Sequence, residues 1–331
     1  MRSLTLRLLR TAAGGAAAVA LMAGCGAAPA GHPGQESRTS QGSRTASPAS
    51  QPDPASQTAP ASNTGPAPAS VSPPGSQPGR IPVPGRTVVV VMENHGYGDV
   101  IGSRAAPFIN TLARQGALLT RSYAVTHPSE PNYLALFSGS THGVTSDACP
   151  VSFTAPNLAS GLLTAHRTFA GYSEGLPRAG SPVCAAGLYA RKHVPWADFS
   201  NVPAALGKPF RDFGAGGYAS LPTVSFVIPD LCDDMHNCPV VTGDQWLRRH
   251  LAGYARWAMT HRSLLILTWD EDGGSQGNHI PTIFLGQQVR PGRYRQPVTH
   301  YGVLRTIEDA YRLRPDGKAA TARPVTGVWR S

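Results

Sequence analysis

TVVVVMENHG, Thr87 to Gly96, opens with a run of β-branched and apolar residues that does not alternate, the pattern of a strand covered on both faces in a parallel sheet. A half-exposed strand would carry a polar residue at every second position. The run stops on Glu93, so a carboxylate stands at the carboxyl end of a buried strand. Working outward, the same reading gives a helix over Pro107–Gln115 and a strand around Ala117–Tyr123. Further buried strands are read at Thr168–Tyr172, Thr223–Ile228, Ser263–Trp269 and Thr282–Leu285. A helix fits Asp244–Met259, where Leu247, Leu251, Tyr254 and Ala258 share one face, and another fits Tyr301–Tyr311, with Leu304, Ile307 and Tyr311 on one face. Strands alternating with helices imply a single α/β domain built on a central, mostly parallel, doubly wound sheet with helices on both faces.

In such sheets ligands bind beyond the carboxyl ends of the strands. Glu93 follows the first strand, Asp230 follows TVSFVIP, and Asp270-Glu271-Asp272 follows LLILTW. The stretch HPSEPNYLALFSGSTHG, His127 to Gly143, adds a hydroxyl, Ser129, at the head of a short apolar helix. Free backbone N–H groups and the positive end of the helix dipole there suit attack on, and capture of, a phosphate. Taken alone, Ser129 reads equally well as an N-cap with Glu130 and Pro131 in the first turn. Several anionic oxygens on one rim require a cation between them. Glu93, Asn94, Asp270, Glu271 and the Ser129 oxygen form a hard shell suited to magnesium, calcium or manganese, with zinc or iron admitted. Such a metal would lower the pKa of Ser129 and neutralise phosphate charge.

Asn132, one turn past Ser129, is placed to donate to a non-bridging oxygen. His236, His279 and His300 are expected at the same rim, to hold phosphate, bind a second metal or protonate a leaving alkoxide. Each of them reads as well as a structural histidine. His127 and His95 adjoin the site by sequence alone, Asp233 and Asp234 read as solvated turn residues, and Asp244 reads as the N-cap of its helix.

The ends of the chain read differently. Of 331 residues, Met1 to Gly24 carries Arg2, Arg7 and Arg10, an apolar stretch and Leu21-Met22-Ala23-Gly24-Cys25, a signal peptide ending in a lipobox. Cys25 would then carry the lipid and tether the protein to the outer face of the cell membrane; ordinary cleavage nearby would leave it secreted. Residues 25–80 are rich in Pro, Ser and Ala with few large apolar side chains, a disordered tether. The folded domain is thus 81–331. Four cysteines remain beyond Cys25, and an even number in an exported protein favours disulfides, here taken as Cys149–Cys184 and Cys232–Cys238 among the three possible pairings. The formal charge of +10 falls by three when the leader leaves; a mildly basic surface suits an anionic substrate or headgroup. No basic run interleaved with aromatics points to nucleic acid, and a monomer is expected.

Taken together, ENH after a valine-rich strand, HPSEPNYLALFSG, IPDLCDDMHNC, GDQWL, TWDEDGG and NHIPTIFLG followed by HYGVLRTIEDAY resemble the bacterial phosphoesterase family of acid phosphatases and phospholipases C, within the alkaline-phosphatase superfamily. The resemblance runs from about Arg86 to Leu313. The stretch YARKHVPWADFSNVP, Tyr189 to Pro203, is also similar to secreted actinobacterial acid phosphatases acting on phosphatidylinositol 3-phosphate. The resemblance implies an alkaline-phosphatase-like fold and makes Ser129 the nucleophile in an S/T-x-P-N setting. It makes Asn132 the oxyanion-contacting asparagine, Glu93 with Asn94 the first-strand metal ligands, and Asp270 with Glu271 the acidic pair before the glycines. Asp230, His236 and His279 fall where two-metal relatives hold their second ion. The Asp-His pair of those relatives is Asp270-Glu271 here, and Asp230 and His236 lack the usual spacing. One divalent metal with histidines around the phosphate is therefore the expectation.

The implied activity is a metal-dependent phosphomonoesterase acting through a phosphoserine on phosphorylated small molecules or phosphoinositides. A phospholipase C or phosphodiesterase of the same family is the nearest alternative, and the short domain favours the monoesterase. A sulfatase would need arginine where Tyr133 stands. Gly171-Tyr172-Ser173-Glu174-Gly175 matches a serine-hydrolase elbow, but the Pro- and Gly-rich segment after it cannot supply the required helix. A non-catalytic phospholigand-binding lipoprotein would be expected to lack the nucleophile or a metal carboxylate, and both are present.

Overall fold

The computed structural model of the protein describes residues 80–330. The expected signal segment 1–24, the lipidation site Cys25 and nearly all of the tether 25–80 lie outside the described residues. In chain order the elements are β1 (Thr87–Met92), α1 (Tyr97–Val100), α2 (Pro107–Gln115), β2 (Ala117–Leu119), β3 (Ser122–Tyr123), α3 (Ser129–Ser138), α4 (Leu158–Thr164) and β4 (Phe169–Ser173). The short β5 (Ala185–Ala186), β6 (Tyr189–Ala190) and β7 (Gly207–Pro209) follow, joined by single 3-10 turns, one of them Arg191–His193. Then come β8 (Val224–Ile228), α5 (Val240–Ala258), β9 (Leu264–Trp269), β10 (Thr282–Gly286), β11 (Gly292–Tyr294), β12 (Val298–Thr299) and α6 (His300–Tyr311).

Eight strands form the main sheet in the order β11-β2-β10-β9-β1-β8-β4-β7. β1 lies at its centre, parallel to β8 on one side and β9 on the other. Alternate residues of this unbroken apolar strand feed two cores. Val89 and Val91 join Leu134, Phe137, Leu304 and Ile307 of α3 and α6, whereas Val88, Val90 and Met92 join Leu112, Trp246, Leu251 and Tyr254 of α2 and α5. Helices thus cover both faces, as the apolar run requires.

β10 is the one strand of this sheet running against its neighbours. Only a loop separates it from β9, with no crossover helix to carry the chain back, so antiparallel return is the available geometry. The expected single strand at Ala117–Tyr123 divides: β2 stays in the main sheet and β3 leaves it to pair with β12, which steers the chain to the rim and Ser129.

The helix expected from Asp244 begins instead at Val240, after Pro239. Asp244 is therefore not its N-cap. Its buried carboxylate accepts the N–H groups of Phe108 (3.2 Å) and Ile109 (2.8 Å), so it caps α2, whose own N-cap position, Ala106, has no side chain to offer. Both expected disulfides, Cys149–Cys184 and Cys232–Cys238, are present.

Candidate active site

Strand register brings the first two carboxylates together. Met92 pairs with Trp269 in the parallel β1–β9 ladder, so Glu93 and Asp270 leave adjacent strands at the same level, and the N–H of Asn94 donates to Asp270 Oδ1 at 3.2 Å. Ser129 reaches them from the head of α3. This helix is buried around its whole circumference, and Gly139, in the left-handed region at φ 71°, ends it where a side chain would collide with the Asp316 carbonyl. Ser129 Oγ donates to Glu93 Oε2 (3.1 Å) and Glu271 Oε1 (3.3 Å) and is 2% exposed.

Of the second half of the cluster, only His236 is expected from the sequence. One helical turn past Ser129, the Tyr133 hydroxyl donates to Glu93 Oε1, and the Tyr133 ring stacks on His193 at 5.1 Å. His193 lies between two carboxylates, with Nε2 3.3 Å from Glu93 Oε1 and Nδ1 3.3 Å from Asp234 Oδ2. Asp234 turns the chain toward the site: its carbonyl accepts the Glu93 N–H, and its Oδ1 accepts the His236 N–H at 2.7 Å. Glu93, His193 and His236 each bring a ligand atom within 4.8 Å of the others.

The electrostatics are those of an overcrowded anionic pocket. Burial first, then Asp234, pushes the Glu93 carboxyl well above its ordinary value. Burial and the charges of Glu93 and Glu271 do the same to Asp270, and burial with Asp270 does it to Asp234. Glu271 is raised by burial, against the opposing pull of His127. Burial depresses His193, with Lys192 and His236 adding to it, so that ring favours its neutral, ligating form. Asp234 Oδ2, Asp270 Oδ2 and His193 Nε2 are buried without a hydrogen-bond partner. Carboxylates, a neutral imidazole and a hydroxyl gathered here, with three buried polar atoms left unpaired, are a donor set that fits a divalent cation.

The other expected residues divide. His127 sits at the open side with Nδ1 2.7 Å from Glu271 Oε2. Asn132 Oδ1 accepts the N–H groups of Val125 and Thr126, while its amide group donates to the carbonyls of Thr126 and Pro128 and, at 3.3 Å, to Glu271 Oε2. It ties the nucleophile turn to the acidic pair. His300 is buried behind the cluster with Nε2 on the Asp270 carbonyl at 2.6 Å; burial takes its pKa down to about 4, against that bond, so it is a neutral prop for the β9 end. His279 stands apart, stacked on Tyr97 at 4.5 Å with Nε2 on the Thr120 carbonyl. Asp230 also stands apart. It joins Glu174 and Asp233, where its Oδ1 accepts the N–H groups of Cys232 and Asp233. Asp234, read from sequence as a solvated turn residue, is instead fully buried in the site.

Ser173 has its hydroxyl buried at the end of β4, and turns rather than a helix follow it, which excludes the hydrolase elbow.

The sequence model of the Phosphoesterase family matches residues 99–314. The chain is 53% identical over 251 residues to a phosphatidylinositol-3-phosphatase of Mycobacterium tuberculosis, covering 75% of this chain and 84% of that protein. It is 30% identical over 249 residues to an acid phosphatase of Aspergillus fumigatus, covering 69% of this chain but only 55% of the fungal protein. Among solved structures, the lipoteichoic acid synthase LtaP of Listeria monocytogenes superposes with a TM-score of 0.53 at 9% identity, covering 71% of this chain and 74% of that one. An alkaline-phosphatase-superfamily protein of Vibrio parahaemolyticus gives 0.51 at 13%, covering 72% and 68%. These structures share the fold of the described domain.

Proposed function

This chain belongs to the phosphoesterase family and is a phosphoric monoester hydrolase, and we propose that it is an exported, metal-dependent acid phosphatase that works through a phosphoserine at Ser129 and accepts phosphatidylinositol 3-phosphate. One observation carries the mechanism: the Ser129 hydroxyl lies within hydrogen-bond distance of both Glu93 and Glu271 at the head of a buried helix. The similarity to the mycobacterial enzyme supports the substrate.

In the proposed cycle Ser129 Oγ passes its proton to Glu271, one of the two carboxylates it reaches, and attacks phosphorus while the bond from phosphorus to the leaving oxygen breaks. The leaving alkoxide takes a proton from the His127 imidazole on the open side. Water then loses a proton to the same imidazole and attacks the phosphoserine, inorganic phosphate leaves, and the Ser129 oxygen recovers its proton from Glu271. Tyr133 fixes one oxygen of Glu93, leaving the other for Ser129, and Asn132 holds the nucleophile turn against Glu271. A bound divalent cation would neutralise the phosphoryl oxygens and favour the serine alkoxide. Glu93, Ser129, Asp270 and Glu271 on one side and Asp234, His193 and His236 on the other are the residues that would hold it. Because Glu93 belongs to both sets, one cation is the arrangement proposed, and the imidazoles extend the choice from magnesium, calcium and manganese to zinc and iron.

The lipobox reading of Cys25 places the enzyme on the outer face of the membrane, where phospholipid headgroups are within reach of a tethered domain; Cys25→Ser would move it from the membrane fraction to the medium. The decisive experiment is Ser129→Ala, assayed on p-nitrophenyl phosphate and on a panel of monoesters, diesters and phosphoinositides. Turnover falls by more than about a thousandfold while the melting curve stays near wild type. Substantial residual turnover would overturn the nucleophile assignment, and a preference for diesters would move the enzyme to the phospholipase C side of its family.

A further inference from the structure

A carboxylate already occupies the head of α3. Asp147, in the turn-rich segment between α3 and α4, accepts the Glu130 N–H through Oδ1 at 3.0 Å and the Lys192 ammonium through Oδ2 at 2.8 Å. Glu130 is the residue after the nucleophile. Lys192 lies 3.4 Å from His236 Nε2 and precedes His193, so it stands at the edge of the proposed metal cluster. Neither Lys192 nor Asp147 stood out in the sequence.

We propose that Asp147 is an internal stand-in for the substrate's phosphoryl group: in the free enzyme it bridges the Glu130 N–H and the Lys192 ammonium, and the entering phosphate displaces it and takes both donors. Lys192 is then a phosphate-binding residue. The inference rests on the phosphomonoesterase reading of the site. Three features of the structure support it. Pro128, at the N-cap of α3, has no side chain that can accept a hydrogen bond, so the free N–H groups of the first turn are left to an acceptor from elsewhere. The donors that Asp147 joins lie next to Ser129 in sequence on one side and against His236 on the other, beside the proposed nucleophile. The Asp147–Lys192 pair is partly exposed, at 28% and 20%, so it is weakly held, and a phosphate dianion offers the same donors more charge.

The loop carrying Asp147 is linked by Cys149–Cys184 to the segment leading to Lys192. The latch and its lysine therefore remain near one another when the carboxylate swings out.

Calorimetric titration of the metal-loaded full chain with inorganic phosphate tests the exchange. Asp147→Ala removes a competitor and a negative charge, so phosphate binds about tenfold more tightly. Asp147→Asn, which keeps an oxygen for the Glu130 N–H, shows a smaller tightening and serves if the alanine variant fails to fold. Lys192→Ala weakens phosphate by about tenfold or more. Unchanged affinity in both Asp147 variants would reduce Asp147 to a helix cap, and weakened affinity would make it only a positioner of Lys192; either result overturns the proposal. Retained turnover in Ser129→Ala would sink the phosphoserine reading alone, because the phosphate titrations decide on Asp147 without any turnover.

Discussion

Two acidic clusters lie beyond the strand ends of this sheet, and they differ in what their oxygens touch. In one, Glu174, Asp230 and Asp233 are half-buried and tied to the scaffold: Trp246 Nε1 donates to Glu174 Oε1, the Asp230 N–H to Glu174 Oε2, and two backbone N–H groups to Asp230 Oδ1. In the other, Glu93, Asp234 and Asp270 are fully or almost fully buried, and Asp234 and Asp270 each keep an oxygen with no partner. The first uses carboxylates to close a turn. The second bears the cost of buried charge with only part of it compensated internally, which is how a site for an external cation differs from a piece of scaffold.

Mutation should separate the two clusters most sharply. Asp234→Asn and His193→Ala are expected to lower kcat/KM on p-nitrophenyl phosphate by about a hundredfold or more. Asp230→Asn and Glu174→Gln should leave it within about threefold while lowering the melting temperature, since each loses hydrogen bonds on a structural turn. Equal losses from both pairs would erase the distinction. Metal removal is the next largest contrast. Dialysis against a chelator should abolish activity and lower the melting temperature, with recovery on adding back a divalent ion, because the crowded carboxylates repel one another without it. The same shift should persist in Asp233→Asn, whose cluster is not expected to bind the ion.

How much of this was legible in the sequence follows from the same contrast. TVVVVM and LLILTW are buried on both faces, and such strands advertise themselves as unbroken apolar runs, so β1, β9 and the carboxylates at their ends were placed correctly in advance. The reversed direction of β10 and the diversion of β3 were not readable, because they depend on loop geometry rather than on residue pattern. His193 sits in a 3-10 turn within the irregular stretch between β4 and β8, with no periodic element to fix its direction. The resemblance carried by YARKHVPW gives it no role. Asp234 was misjudged because Asp230, Asp233 and Asp234 form one polar, cysteine-flanked string in which nothing local shows which carboxylate turns inward. The one available signal was Met235-His236 just after it: a large apolar residue beside a histidine suits a buried turn better than a solvated one.

A smaller effect concerns Tyr133, which fills the position where a sulfatase would carry arginine and here holds Glu93. Tyr133→Phe removes the hydroxyl but keeps the stack on His193. Activity should fall about tenfold, the range for losing a group that orients a ligand. Stability should be little changed, since the freed Glu93 oxygen still faces His193 and the cation.

Glu308 asks whether an orphaned oxygen is by itself enough to mark a binding site. It is buried in α6, its Oε1 accepts the Asp316 N–H at 2.8 Å, and its Oε2 has no partner. Burial lifts its pKa from 4.5 to about 8, against that backbone bond, so at neutral pH it is an uncharged acid that needs no cation. Between those two values the folded protein holds a proton that the unfolded chain has released. The favourable contribution of the neutral form is complete below about pH 4.5 and is lost as pH rises through about 8. Glu308→Gln keeps an acceptor for Asp316 and never ionises. Thermal unfolding should therefore show little difference from wild type near pH 5 and a growing advantage for the variant toward pH 9, with phosphatase activity and metal content unchanged. A variant that lost metal would show that unpartnered oxygens alone, without the crowding of Glu93, Asp234 and Asp270, are enough to hold the ion.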